Sequence, residues 1–388
     1  MNKIFKALLI SDIFPPQHGG SGRWFWEVYS RLSRDEYILA VGKSENYEAF
    51  DTTHDLAIER CDFKSTSWGV TDKAGLTYYW HCFWLIRKLI KKHQITHLHC
   101  GRCLPEGFIA YLINLLYGLP YLCYIHGEDV ETASESRELS WIIKQVFKRA
   151  NKLICNSQNT ANIILNKWKV PQNKAMVLHP GVDTERFKPA ERNLIIRKQL
   201  GWEDRPVILT VGRLQERKGQ DMTIKSMPEI IKRLPNTLYA IIGNGERKEY
   251  LLSLVEELNL QDHVLFHDEI SDEQMIQCYQ QCDCFILPNR QVGNDIEGFG
   301  MVLVEAQACG KLVIAGDSGG TKETLIEGTT GFVVDCTSEK TLSNKLLEIL
   351  TTTDSKISQL KCRQHVEDNF NWSKLALKAE HIFRSPGL

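Results

Sequence analysis

The feature that most limits what this chain can fold into is a repeated alternation of short apolar runs with longer stretches of helical spacing. The runs KALLIS, YILAVG, THLHC, YLCYIHG and KLICNS are interleaved with helical patterns over 20–34, 105–117, 137–150 and 158–167. Strand–helix–strand repeats of this kind build parallel sheets. The pattern then restarts: PVILTVGR, a helix over 219–234, LYAIIGNG, a helix over 246–259, HVLFHDE, a helix over 272–281, CDCFILPN, a helix over 301–309 and KLVIAGD. The expectation is α/β, with two doubly wound parallel-sheet units, and 388 residues are enough for two domains. Pro and Gly punctuate the stretch from Pro180 to Pro189, which places the linker near Asp183 to Ala190 and the domains at 1–185 and 186–369. The segment ERNLIIRKQLGW reads as the helix that leads into the second sheet. Phe370, Trp372, Leu375, Leu377, Ala379 and Phe383 recur at helical spacing, so a final helix over 370–388 is expected to pack back on the first domain.

Composition removes several function classes. With 43% hydrophobic and 24% charged residues the chain reads as a soluble globular protein, and a formal net charge of -1 gives no reason to expect a nucleic-acid partner. The run Ile4 to Ile10, broken by Lys6 and followed by Ser11-Asp12, reads as a buried first strand and not as a signal peptide. The twelve cysteines are therefore expected to be reduced thiols in a cytoplasmic protein, many of them in apolar runs, as are Cys123, Cys155 and Cys309. Cys100 and Cys103 match C-x-x-C, and Cys278, Cys282 and Cys284 fall near His263 and His267. Neither set has the second paired motif or thioredoxin-like context that zinc or redox chemistry requires. No apolar run approaches membrane-spanning length. FPPQHGGSGRW and GNGERK are not G-x-G-x-x-G fingerprints, which counts against a dinucleotide oxidoreductase.

Three segments carry chemistry. In NRQVGNDIEGFGMVLVEAQACG, Gly298 and Gly300 let the backbone present N–H groups at a helix N-terminus, where unpaired donors and the helix dipole attract phosphate. Glu297 then lies at the ligand. Glu305 falls two turns into the helix on a buried-looking run, where a carboxylate needs a partner such as a pair of ribose hydroxyls. VGRLQERKGQD places Arg213, Arg217 and Lys218 after a strand, at the carboxyl end where open α/β sheets bind ligands, and fixed cations there can take up the charge of a diphosphate. YIHGEDV puts His126 directly after a strand with Gly127 next to it. Glu128 and Asp129 are weaker candidates, for acceptor contacts.

The Glu-x7-Glu pattern of Glu297 and Glu305, its EGFG core and the following EAQACG resemble the large retaining family that contains phosphatidylinositol mannosyltransferases and sucrose and sucrose-phosphate synthases. The resemblance spans almost the whole chain. It implies a GT-B fold, two Rossmann-like domains facing a cleft that closes during turnover, and transfer of a hexose from a nucleotide-diphosphate sugar to a glycan or lipid-linked hydroxyl. It assigns the sugar hydroxyls to Glu297, sugar and phosphate to the amides of Gly298, Phe299, Gly300 and Met301, and ribose to Glu305. Pyrophosphate falls to Arg213 and Lys218, with Arg217 solvated. His126 would lie beside the transferred sugar, Gly19 and Gly20 would face the pyrophosphate or acceptor, and the segments from Gly243 to Glu246 and from His267 to Ile270 would surround the nucleobase. The resemblance also implies no cofactor and no bound metal, the cations replacing it, and retention by same-face attack with the departing phosphate oxygen taking the acceptor proton. UDP-glucose and GDP-mannose rank as near equals for the donor. The rival readings are a phosphorylase, a sugar-nucleotide epimerase and a non-catalytic sugar-nucleotide-binding protein, and the last would be expected to lose Glu297, His126 or Lys218. The aromatic and basic run over 76–93 reads equally as a helix on an anionic membrane and as one whose aromatic side is core.

Overall fold

A computed structural model of the protein describes residues 5–17, 19–64, 68–268, 270–351 and 355–385. It divides into two compact units, Met1–Pro180 with Trp372–Leu388, and Gly181–Asn371. The division falls at Pro180–Gly181, just before the linker expected from sequence.

The first unit is built on seven strands: β1 (Ala7–Ser11), β2 (Tyr37–Gly42), β3 (Ile58–Cys61), β4 (His97–Cys100), β5 (Tyr121–Ile125), β6 (Lys152–Cys155) and β7 (Ala175–Val177). All pairings are parallel and the spatial order is β3-β2-β1-β4-β5-β6-β7. Alternate residues serve opposite faces. Leu8, Ile10, Ile38, Ala40, Cys123 and Ile125 meet the helices Lys73–His93, Phe108–Tyr117 and Arg137–Arg149 in one core. On the other face Tyr29, from the helix Gly20–Tyr29, bonds His99 Nδ1 at 2.7 Å and stacks on Phe383 of the C-terminal helix Trp372–Arg384. Lys152 Nζ also donates to the Ile382 carbonyl oxygen at 3.1 Å, which fastens that helix to the first unit. Residues 386–388 of the expected final helix lie outside the described residues.

The second unit has six parallel strands: β8 (Val207–Val211), β9 (Leu238–Ile242), β10 (Val264–His267), β11 (Cys284–Leu287), β12 (Val313–Gly316) and β13 (Gly331–Val334). Their order is β10-β9-β8-β11-β12-β13. Apolar cores lie on both faces of this sheet.

The strands the sequence pattern does not reveal are the outer ones. β3 is IERC, only partly buried, β7 has three residues, and β13 closes the edge of its sheet. A strand covered on one face or paired on one side needs little apolar sequence, so the pattern is faint where the fold asks least of it. The helix expected over 105–117 begins only at Phe108, behind a π-type turn at Cys103–Gly107, and the first helix ends at Tyr29, short of 34. The helix expected over 191–202 is shorter, Leu194–Gln199, because Asn193 caps it by accepting from the backbone N–H of Ile195 and Ile196. Among the described residues no helix is long and apolar enough to cross a membrane.

Candidate functional site

Each sheet has a point where successive connections run in opposite directions, β1/β4 in the first unit and β8/β11 in the second. At such points the loops leaving the carboxyl ends diverge and open a crevice for ligands. In the second unit the crevice is walled by the loop after β8, residues 212–219, and the loop after β11, residues 288–300. They lie against each other: the Arg290 backbone N–H donates to the Arg217 carbonyl oxygen at 2.8 Å, and a Cβ on Gly219 would sit 1.8 Å from the Pro288 carbonyl oxygen. Gly219 also has φ 72°, so both its space and its backbone conformation require glycine. The Arg290 guanidinium then grips both carboxylate oxygens of Asp221, at 2.8 and 3.1 Å, locking the loop after β11 to the start of the helix Gln220–Arg233.

The contacts within the crevice centre on Glu297. Its Oε2 takes Lys218 Nζ at 2.6 Å and an Arg217 guanidinium nitrogen, and Arg217 Nε reaches Asp295 Oδ1 at 3.0 Å. Burial would raise the Glu297 carboxyl, but the two cations more than offset it and hold its pKa below the ordinary carboxylate range. This corrects the expectation that Arg217 is solvated. Its side chain is 11% exposed, because the short turn Glu216–Lys218 aims it inward between two carboxylates. Arg213, by contrast, is exposed, and its guanidinium makes no hydrogen bond or ion pair to a described residue. Nothing in the sequence distinguishes Arg217 from a solvated base; the acidic pair Asp295 and Glu297 was the available clue.

Glu297 is followed by Gly300, at φ 89°, and the helix Met301–Ala308, so the amides from Gly298 to Met301 lie at a helix N-terminus. The backbone of Glu297 is itself fixed. Gly320 N–H donates to its carbonyl oxygen at 2.9 Å, and a Cβ on Gly319 would lie 1.9 Å from that same oxygen. Glu305, only 4% exposed, accepts a hydrogen bond from the Tyr279 hydroxyl at 2.7 Å. Sequence reading places Glu305 but misses Tyr279, which meets it from the helix Asp272–Gln281. Gly243 brings the loop after β9 against the loop after β8, where a Cβ on it would lie 2.1 Å from the Gly212 carbonyl oxygen. Ile270 packs on the apolar core of the unit, and Glu269, within the expected nucleobase segment, lies outside the described residues.

In the first unit His126 directly follows β5 and its Nε2 donates to the Gly101 carbonyl oxygen at 2.8 Å, which leaves Nδ1 as the acceptor. Burial lowers the imidazole pKa, so the ring is neutral at neutral pH. Asp129 is the residue that shapes this turn. Its Oδ1 accepts from the backbone N–H of His126, Gly127 and Val130 at 3.0–3.1 Å and fixes Gly127 at φ 97°. Glu128 is exposed. Gly19 precedes the helix that Gly20 begins, and His18 beside them lies outside the described residues. At the β1/β4 switch point the buried Glu106 accepts from the Asp12 backbone N–H at 3.0 Å, and burial pushes its carboxyl up to about 7. All twelve cysteines are buried free thiols, and Cys103 Sγ points to Asp129 Oδ2 at 3.4 Å.

A helix N-terminus, flanking cations and the Glu297 carboxylate at a sheet switch point form a crevice suited to a phosphate-bearing ligand. Residues 18–186 match the family described as Glycosyltransferase Family 4, and residues 193–366 match Glycosyl transferases group 1. The chain is a group 1 and family 4 glycosyltransferase. A relative of this glycosyltransferase in Mycolicibacterium smegmatis, a GDP-mannose-dependent alpha-(1-6)-phosphatidylinositol monomannoside mannosyltransferase, is 28% identical over 94% of each chain. The Corynebacterium glutamicum enzyme named for the monoacylated form of that acceptor is 29% identical over 98% of each. Among solved structures, Anabaena HepE in complex with UDP and glucose superposes with a TM-score of 0.81 at 17% identity, covering 98% of this chain and all of that one. Sucrose-phosphate synthase of Thermosynechococcus elongatus superposes with a TM-score of 0.78 at 20% identity, over 98% of each chain. These likenesses give the glycosyltransferase the GT-B fold.

Proposed function

We propose that this glycosyltransferase moves mannose from GDP-mannose, with retention and without a metal, to a hydroxyl of a lipid-linked acceptor at an anionic membrane surface. The observation that carries the reading is the Lys218–Glu297–Arg217 cluster at the N-terminus of the helix Met301–Ala308. Glu297 is a carboxylate kept ionised for sugar hydroxyls, and Lys218, with the unengaged Arg213, supplies the charge that a departing diphosphate requires. Glu305, held by Tyr279, takes the ribose. Neutral His126 offers an acceptor nitrogen to the transferred sugar. The protein contributes position and electrostatics, and the acceptor proton leaves on the phosphate oxygen. GDP-mannose now ranks above UDP-glucose because the relatives that align over nearly the whole chain are named for GDP-mannose and for phosphatidylinositol mannosides.

Calorimetric titration of GDP, UDP and ADP with a chelator present tests the donor site. Tight binding of GDP alone supports the reading, tight binding of UDP alone moves the donor to a UDP-sugar, and binding that needs a divalent cation removes the metal-free mechanism. Transfer from GDP-mannose to phosphatidylinositol mannoside, with the anomeric configuration of the product read by NMR, tests acceptor and retention together. An inverted product rejects same-face attack.

A further inference from the structure

The helix Lys73–His93 resolves the two readings its sequence allows, because its aromatic residues divide between them. Tyr79 and Phe83 are buried in the core of the first unit, whereas Trp80 is 66% and Trp84 42% exposed. The two exposed rings touch edge to face at 5.5 Å. Arg87 lies over Trp84 at 4.9 Å and over Tyr117 at 5.6 Å, and its Nε donates to the Tyr117 hydroxyl at 2.7 Å. Leu116, beside Tyr117, is 65% exposed. Trp141 on the neighbouring helix Arg137–Arg149 is 54% exposed, one turn beyond Glu138, whose carboxylate accepts from Thr71 N–H at 2.7 Å next to the start of the Lys73–His93 helix. One helix layer thus presents tryptophans and leucines that a monomer in water would be expected to bury.

Charge says what covers this face. The helices Lys73–His93 and Phe108–Tyr117 contain no Asp or Glu, and Lys73, Lys88 and Lys91 stand exposed beside the tryptophans. Three carboxylates bordering this face are engaged: Asp72 caps the Lys73–His93 helix by accepting from the Gly75 N–H, Glu138 accepts from the backbone of Val70 and Thr71, and Glu59 pairs with Lys92 and His93. An apolar helix face rich in tryptophan and rimmed by exposed lysines matches the headgroup boundary of an anionic bilayer, where indole rings sit at the interface and ammonium groups meet lipid phosphate. We infer that this face, centred on Trp80, Trp84 and Arg87, docks the protein on anionic membranes. The inference rests on the membrane-surface reading above and names the surface that would carry it. It involves none of the residues of the donor site.

Flotation of the full chain with phosphatidylglycerol-containing vesicles and with pure phosphatidylcholine vesicles tests it. Binding is expected to the anionic vesicles, to weaken with salt, and to shift tryptophan emission to the blue. Trp80→Ser with Trp84→Ser should weaken it on the order of tenfold or more, and Lys88→Ala and Lys91→Ala roughly fivefold each. Unchanged thermal unfolding and GDP binding would show that these surface variants remain folded. Vesicle binding untouched by the tryptophan pair overturns the inference even if transfer to a lipid acceptor is found. Failure to bind vesicles, together with a concentration-dependent dimer that the same pair abolishes, overturns it in favour of a second copy of the chain. Loss of vesicle binding in these variants while wild type transfers mannose only to soluble glycans upholds the docking face and rejects the lipid acceptor.

Discussion

Arg217 shows how much a single side chain can change in meaning between sequence and structure. As one of several bases in VGRLQERKGQD it has no distinguishing mark, yet in space it pairs with both Glu297 and Asp295. Its proposed task is positioning, whereas Lys218 meets the leaving group, and the two predict different kinetics. Lys218→Ala should cost about 2.7–4 kcal/mol of transition-state stabilisation, a kcat loss of about a hundredfold to a thousandfold; unaltered turnover would remove it from the leaving-group site. Arg217→Gln should raise KM for the sugar nucleotide by roughly tenfold and leave bare nucleoside diphosphate affinity nearly unchanged, because what it loses is the orientation of the sugar-binding carboxylate. Equal loss for both ligands would make Arg217 a phosphate ligand instead. Glu297 and Glu305 stand together in one short motif and Lys218 in another, VGRLQERKGQD, so sequence alone singles them out. Tyr279, and the roles of Arg217 and Asp129, are not legible there, because these side chains act through partners that only folding brings near.

At the scale of elements, the buried strands were legible because each is an almost unbroken apolar run, whereas β3, β7 and β13 were not, each lying at a sheet edge where burial asks less. The loops between elements carry the finer constraints. Gly219 packs on Pro288, so Gly219→Ala should push the Lys218 turn away from the loop after β11, destabilise by at least about 1 kcal/mol and weaken donor binding; an unchanged melting temperature and KM would show that the loops have room to part. The π-type turn that carries Glu106 makes a distinct pH prediction. Its carboxyl is raised from 4.5 to about 7, so between those values the folded state holds a proton that the unfolded state has lost. That contribution is complete below pH 4.5 and lost as pH rises through 7. Buried His99, lowered to about 3 by desolvation, has the opposite slope, losing stability as pH falls below 6.5. Glu106→Gln keeps an acceptor for Asp12 N–H and removes only the first slope. Relative to wild type it should gain up to about 3 kcal/mol between pH 4.5 and 8, from 1.36 kcal/mol per pH unit separating the two carboxyl values. Urea unfolding of both proteins across that range measures it, and a constant difference would mean Glu106 is ionised in the fold.

For the whole molecule the informative fact is that the chain does not finish where its second unit does. After Asn371 it returns to the first unit, where Phe383 stacks on Tyr29, Arg384 pairs with Glu36 and Lys152 holds the Ile382 carbonyl. Stability of the first unit therefore depends on residues that follow the complete second unit in sequence, while the residues from Arg213 to Glu305 proposed to hold the nucleotide lie in the second. Heat and ligand should separate these dependences. Deleting 372–388 uncovers Tyr29, His99 and Tyr124 on one face of the first sheet, and should lower unfolding of that unit by several degrees while leaving GDP affinity within about twofold. GDP, if it binds the folded second unit as proposed, should raise that unit's transition by an amount set by RT ln(1 + [L]/Kd), in the truncated and full-length chains alike. Differential scanning calorimetry on both proteins, with and without GDP, reads all four combinations. A truncation that abolishes the GDP-dependent shift would tie the C-terminal helix to donor binding and show that the two units do not unfold as separate bodies.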